Sequence, residues 1–176
     1  MNKHTEEEKR TMKKRWMTWT VATMIVAAGG SNAHAGASAT EVFERYVAAA
    51  NAGDMAAVKA LISPEVERSD FVGCQAEMDN PSCLAHYIQT TIIDPKGHLS
   101  VLRHTNEGHT VTAWLEVRSD ASRRVGVERI VGRDIVRVDN GLIKSFHFVP
   151  DFGDEATATF FGSLGIGPRA TKPVNH

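Results

Sequence analysis

The apolar periodicity of this chain changes once, at Pro95-Lys96-Gly97, and that change sets the class of fold open to it. Before it, apolar residues recur at helical spacing; after it, they alternate with period two. Ser38-Ala39-Thr40-Glu41 reads as a capping box that opens a first helix. Val42, Phe43, Tyr46, Val47 and Ala50 form its stripe, and Gly53 closes it. Asp54 caps a short second helix that carries Met55, Val58, Leu61 and Ile62 inward and stops at Pro64. Val66 to Val72 reads as a short strand running into a loop at Gly73. Asn80-Pro81 opens a third helix, with Asn as cap and Pro in the first turn, and Leu84, Tyr87, Ile88, Thr91 and Ile92 on its buried side.

The alternating half predicts strands over 98–104, 110–118, 125–138 and 142–149. Tight turns at Asn106-Glu107-Gly108 and Asp139-Asn140-Gly141 join them as hairpins. The third strand is long enough to need a bulge, and Gly132 is the site expected for it. One helical turn is expected around 155–161. Helices followed by an antiparallel run imply an α+β domain, a curved antiparallel sheet wrapped around three N-terminal helices. A sheet bent over helices leaves a concave space of the kind that holds small apolar ligands.

Basic residues from Lys3 to Arg15, a short apolar run over 16–28 and Ala33-His34-Ala35 have the layout of a secretory signal peptide over 1–35. That run is shorter than a membrane span requires, so no stable membrane insertion is expected after cleavage. The domain then occupies 36–166, and 167–176 is expected to be a disordered tail. Removing 1–35 takes 6 basic and 3 acidic side chains from totals of 20 and 21, leaving a formal charge of −4. In the part left after cleavage no cluster of Lys or Arg with interleaved aromatics appears, which argues against a nucleic-acid partner. Cys74 and Cys83 fall in the exported part, where a disulfide is permitted; two free buried thiols are the alternative. Such a bridge would stabilise by roughly 2–3 kcal/mol in the chain-entropy picture. No second Cys or His pair completes a zinc spacing, so no metal site is expected. No Gly-x-Ser-x-Gly marks a hydrolase nucleophile.

The residue with the most chemical content is Asp134. Along the third strand the even positions read Ile130, Gly132, Asp134, Val136 and Val138, and the odd positions include Arg133 and Arg137. Side chains alternate faces, so the strand carries one carboxylate onto an apolar wall. Such a group must find a partner, take up a proton, or both. A structural Asp bonded to a loop backbone or an Arg is the plain alternative.

Three stretches resemble the nuclear transport factor 2-like superfamily, in particular its SnoaL-like and ketosteroid isomerase branches. They are Arg45-Tyr46-Val47 with Asn51-Ala52-Gly53-Asp54, Leu61-Ile62-Ser63-Pro64-Glu65 running on to Ser69-Asp70-Phe71-Val72-Gly73, and Asp134-Ile135-Val136-Arg137-Val138-Asp139 with Gly141 and Ile143. The resemblance implies a cone-shaped, cystatin-like α+β barrel with an apolar pocket. It implies that Asp70 is a general base, with the phenol of Tyr46 and a protonated Asp134 forming an oxyanion hole. Phe71 departs from the pattern, which has Pro after the base. Phe43, Ile130, Val136, Phe146 and Phe148 are expected to line the pocket, with His147 on the opposite face. No cofactor is implied. The expected partner is a small hydrophobic molecule, and the expected assembly a homodimer through the sheet, with Trp114 in its core or interface. The resulting expectation is a periplasmic or secreted SnoaL-like protein that binds a small apolar ligand, as a cofactor-free isomerase or cyclase moving a proton beside a carbonyl. A non-catalytic periplasmic binding or interaction module of the same fold is the alternative.

Overall fold

A computed structural model describes residues 36–67 and 73–167 of the chain. The expected signal peptide, Asp70 and Phe71, most of the expected 66–72 strand and the tail from residue 168 lie outside the described residues.

Helix α1 spans Ala39–Asn51 and opens on the expected capping box, Ser38 accepting from the Glu41 N–H while Glu41 reaches back. Its inner stripe buries Val42, Phe43 and Tyr46. Helix α2, Met55–Leu61, is capped by Asp54. Helix α3, Asn80–Ile88, starts one residue earlier than the sequence suggests: Asp79, not Asn80, is the cap, accepting from the Ser82 N–H at 2.7 Å. Asn80 is thereby freed to donate from Nδ2 to the Val66 carbonyl at 3.0 Å. The helix continues as a wider π-type turn, Gln89–Ile93. A disulfide joins Cys74 to Cys83 and ties the chain ahead of α3 to its first turn.

Four antiparallel strands follow: β1 His98–Glu107, β2 Thr110–Arg118, β3 Ile130–Asp139 and β4 Leu142–Pro150. They lie in the order β1-β2-β3-β4, so the hairpins form one curved meander. The sheet is open, because β1 and β4 remain its edges instead of pairing to close a barrel. At the β3–β4 turn Asn140 and Gly141 both take positive φ, 51° and 73°, as a tight hairpin requires. The segment after α2 lies against β4: Ile62 bridges Ile143 in parallel, and the Glu67 N–H donates to the Lys144 carbonyl at 2.8 Å.

Two features differ from the sequence reading. The strand expected over 125–138 begins only at Ile130, because Ser119 caps a short helix α4, Asp120–Arg124, ahead of it. Gly132 holds regular register, and the shift in β3 falls at Arg137/Val138. The final helix α5, Glu155–Ser163, is anchored to β3 through Thr157, whose Oγ1 accepts from the Val131 N–H at 2.9 Å. The core lies between the inner face of the sheet and α1 to α3, and includes Phe43, Tyr46, Leu84, Ile88, Leu115, Ile143 and Phe146. Each large side chain there contributes on the order of 2 kcal/mol by leaving water.

Candidate functional site

The alternation of β3 is complete: its even residues from Ile130 to Val138 are buried, and its odd residues are partly or fully exposed. Asp134 is therefore carried onto the concave face, between Ala113 of β2 and Phe148 of β4 in register, with 2% of its surface exposed. It faces a cavity of about 360 Å³ whose walls come from the sheet, α3 with its π-type turn, α4 and α5. That volume lies within the usual range of small-molecule sites.

Asp134 shares the cavity wall with two phenols that lie within its electrostatic field, the buried Tyr46 from α1 and the half-buried Tyr87 from α3. Loss of water around the carboxyl pushes its pKa up to about 8, because the charged form cannot be solvated there. Among the described residues no cation pairs with it; the carboxylates in ion pairs are Glu65, Glu67, Glu116, Asp120 and Asp154. Burial, and secondly the field of Asp134, raise the pKa of Tyr46 well above that of an ordinary phenol. The same causes in the same order raise that of Tyr87, opposed by a hydrogen bond with Thr91. All three groups are consequently held in their neutral, proton-bearing forms at pH 7. Neutral O–H groups can donate hydrogen bonds, which a carboxylate cannot.

Aromatic packing fixes this wall. Phe146 meets Tyr46 edge-on with ring centroids 5.4 Å apart and lies 6.3 Å from Tyr87. Further out, Phe148 stacks on Phe161 of α5 at 6.2 Å. Gly132 makes room for that ring: a Cβ there would sit 2.5 Å from Phe148 Cζ and 2.7 Å from the Val149 carbonyl oxygen. The absence of a side chain thus serves close approach rather than a bulge. Gly132→Ala is expected to destabilise by about 1–3 kcal/mol in urea unfolding, since the backbone oxygen cannot yield as a ring can. An unchanged midpoint would mean that Phe148 does not lie over this glycine.

The expected site residues divide. Asp134 and Tyr46 converge on the cavity, with Ile130, Phe146 and Phe148 in its lining. Phe43 and Val136 belong instead to the core cluster and are not part of the lining. Asp70 lies outside the described residues. His147 is exposed, on the face away from the cavity. Trp114 is on that same outer side of the sheet, with the Arg103 guanidinium 3.6 Å over its ring. Tyr87 reads in the sequence only as one member of a helix stripe, and nothing local marks it as facing Asp134. The wall supplied by α5 comes from a nine-residue helix, longer than the single turn expected around 155–161.

The profile of the SnoaL-like domain matches residues 43–146, more than half of the chain. The chain belongs to the SnoaL-like family. This SnoaL-like protein superposes on IdmH from Streptomyces antibioticus, a proposed polyketide cyclase, with a TM-score of 0.55 at 19% identity, covering 73% of this chain and 99% of that one. It also superposes on an NTF2-like protein of unknown function from Cytophaga hutchinsonii, with a TM-score of 0.51 at 14% identity over 66% of this chain and 92% of that one. A third solved relative is the Delta 5-3-ketosteroid isomerase of a Mycobacterium species, with a TM-score of 0.50 at 14% identity, covering 66% and 96%. At these identities the likeness is one of fold. No curated protein matches the chain in sequence.

Proposed function

We propose that this SnoaL-like protein binds a small apolar carbonyl compound in its cavity and moves a proton between carbons beside that carbonyl, without a cofactor. The observation that carries the reading is the buried end of the cavity, where an acid held neutral by burial stands with two phenols. A carbonyl oxygen placed there can accept from the O–H groups of Asp134, Tyr46 and Tyr87. When a base removes a proton from the neighbouring carbon, the C–H electron pair forms a C=C bond and negative charge collects on that oxygen. Donors already in position then bind more strongly than they did to the neutral carbonyl, which is the condition for lowering the barrier. Return of the proton from the base to the same or another carbon restores the carbonyl. By resemblance the base is Asp70.

Export belongs to the same proposal. The layout of residues 1–35 and a Cys74–Cys83 disulfide both suit an oxidising compartment. A homodimer through the outer face of the sheet, where Arg103 covers Trp114, completes it.

The test is proton exchange on a simple probe. The purified protein is incubated in deuterium oxide with 2-tetralone, a compact apolar ketone, and deuterium entering the carbon beside the carbonyl is followed by mass spectrometry. Exchange well above the buffer rate is the expected result. Binding of the ketone with exchange at the buffer rate would leave the non-catalytic binding module as the correct reading.

A further inference from the structure

The acid and the base of the cavity lining, Asp134 and Arg124, lie at different depths. Asp134 and Tyr46 are 2% and 1% exposed. The exposed residues of the lining are Thr90, Arg124 at the end of α4, and Val125 and Leu164, 42% and 56% exposed. Arg124 is the lone cationic residue of the lining among the described residues. Neighbouring cations are engaged elsewhere: Arg123 pairs with Asp120, Arg118 with Glu116, and Arg129 with Glu116 and Asp154. No described carboxylate pairs with Arg124. The exposed end of the cavity therefore presents a guanidinium in no ion pair, although its charge, with those of Arg123 and Lys96, acts on Asp120 one turn earlier in α4.

We infer that the ligand of this cavity is an apolar acid, whose carboxylate is held by Arg124 at the mouth while an oxygen at its other end meets Tyr46, Tyr87 and Asp134. This deepens the function proposed above and rests on its reading of the cavity as a ligand site. The polarity of binding follows from charge. A carboxylate at the buried end would lose its water with no cation to replace it, and would face an acid whose own ionisation is already disfavoured. At the mouth the same carboxylate keeps part of its hydration and gains a fork of donors matched to its two oxygens. The apolar body then lies along Leu115, Ile130 and Phe148. An oxo acid fits both ends; a neutral ketone fits one.

Two fluorescent probes of the same skeleton separate the ends: 1-anilinonaphthalene-8-sulfonate, which carries an anion, and N-phenyl-1-naphthylamine, which does not. Both are titrated into the purified wild-type protein, Arg124→Gln and Arg123→Gln. The wild type is expected to bind both, the anionic probe more tightly. Arg124→Gln is expected to weaken the anionic probe roughly three- to ten-fold and to leave the neutral one unchanged. Added salt should reproduce that loss in the wild type alone. Arg123→Gln, which removes the same charge off the lining but leaves Asp120 beside Arg124 without its partner, should weaken the anionic probe less than Arg124→Gln does and leave the neutral one unchanged. Equal binding of the anionic probe by wild type and Arg124→Gln overturns the inference, as does an equal loss in Arg123→Gln, but either result leaves the cavity reading intact. Failure of both probes to bind the wild type overturns the cavity reading as well.

Discussion

Asp134→Asn is expected to make the protein more stable at pH 8 and less active at every pH. The sign follows from the proton. In the unfolded chain the carboxyl titrates near its ordinary value of 3.8, and in the folded chain near 8. Between those limits the folded state keeps a proton that the unfolded state has released, so raising the pH favours unfolding by up to about 1.4 kcal/mol per unit from this group alone. Below the lower limit both states are protonated and the group contributes nothing. Above the upper limit the penalty is complete. Asparagine occupies nearly the same volume and does not titrate, so the variant lacks this slope. Urea unfolding of both proteins at pH 5 and pH 8 should show their difference moving in favour of the variant by about 3 kcal/mol. Parallel stability curves would mean that the carboxyl ionises normally in the fold. Activity should fall nonetheless, since an amide is a weaker donor than an acid toward a developing oxyanion. Asp134→Leu, which cannot donate at all, should lose roughly 10²-fold or more in exchange rate.

Asp70→Asn should give the largest kinetic effect, a fall of about 10²- to 10⁴-fold in deuterium exchange into the ketone, because it removes the group proposed to take the proton. Its signature differs from that of Asp134. A base acts on carbon, so the affinity for the neutral ketone should be nearly unchanged while turnover falls; replacing a donor at the buried end should affect both. Paired measurement of the ketone dissociation constant and the exchange rate checks this. An Asp70→Asn protein that exchanges at the wild-type rate would remove Asp70 from the mechanism and send the search for the base to other residues.

How much of this was legible in the sequence depends on the range of the interaction involved. Period-two alternation is a local property, and it placed Asp134 on the apolar face of β3 as the structure has it. The capping box at Ser38 is likewise local and is found as expected. At Asp79 the preceding residue won the cap, because an Asp accepting from the Ser82 N–H leaves Asn80 free to reach Val66. Helix α4 has a weak local signal, because its box is closed by Ser122 instead of Glu or Gln and the apolar run beginning at Val125 reads as strand. Gly132 shows the limit from the other side: a glycine in a strand signals close approach or a bulge alike, and the position of the Phe148 ring decides between them. Tyr87 and Arg124 were out of reach altogether. Their roles depend on how α3 and α4 dock over the sheet, and that is set by packing among elements distant in sequence. Phe43 and Val136 are the converse case, apolar residues on the expected faces that the core absorbs.

The most direct measurement is the titration of the Asp134 side-chain carboxyl in the folded protein, followed by carbon-13 NMR with Asp134→Asn as the assignment control. A midpoint near 8, with the carboxyl still protonated at neutral pH, is the expected result. A midpoint near 3.8 would show a charged carboxylate at the buried end of the cavity, and the oxyanion site built on its proton would not exist.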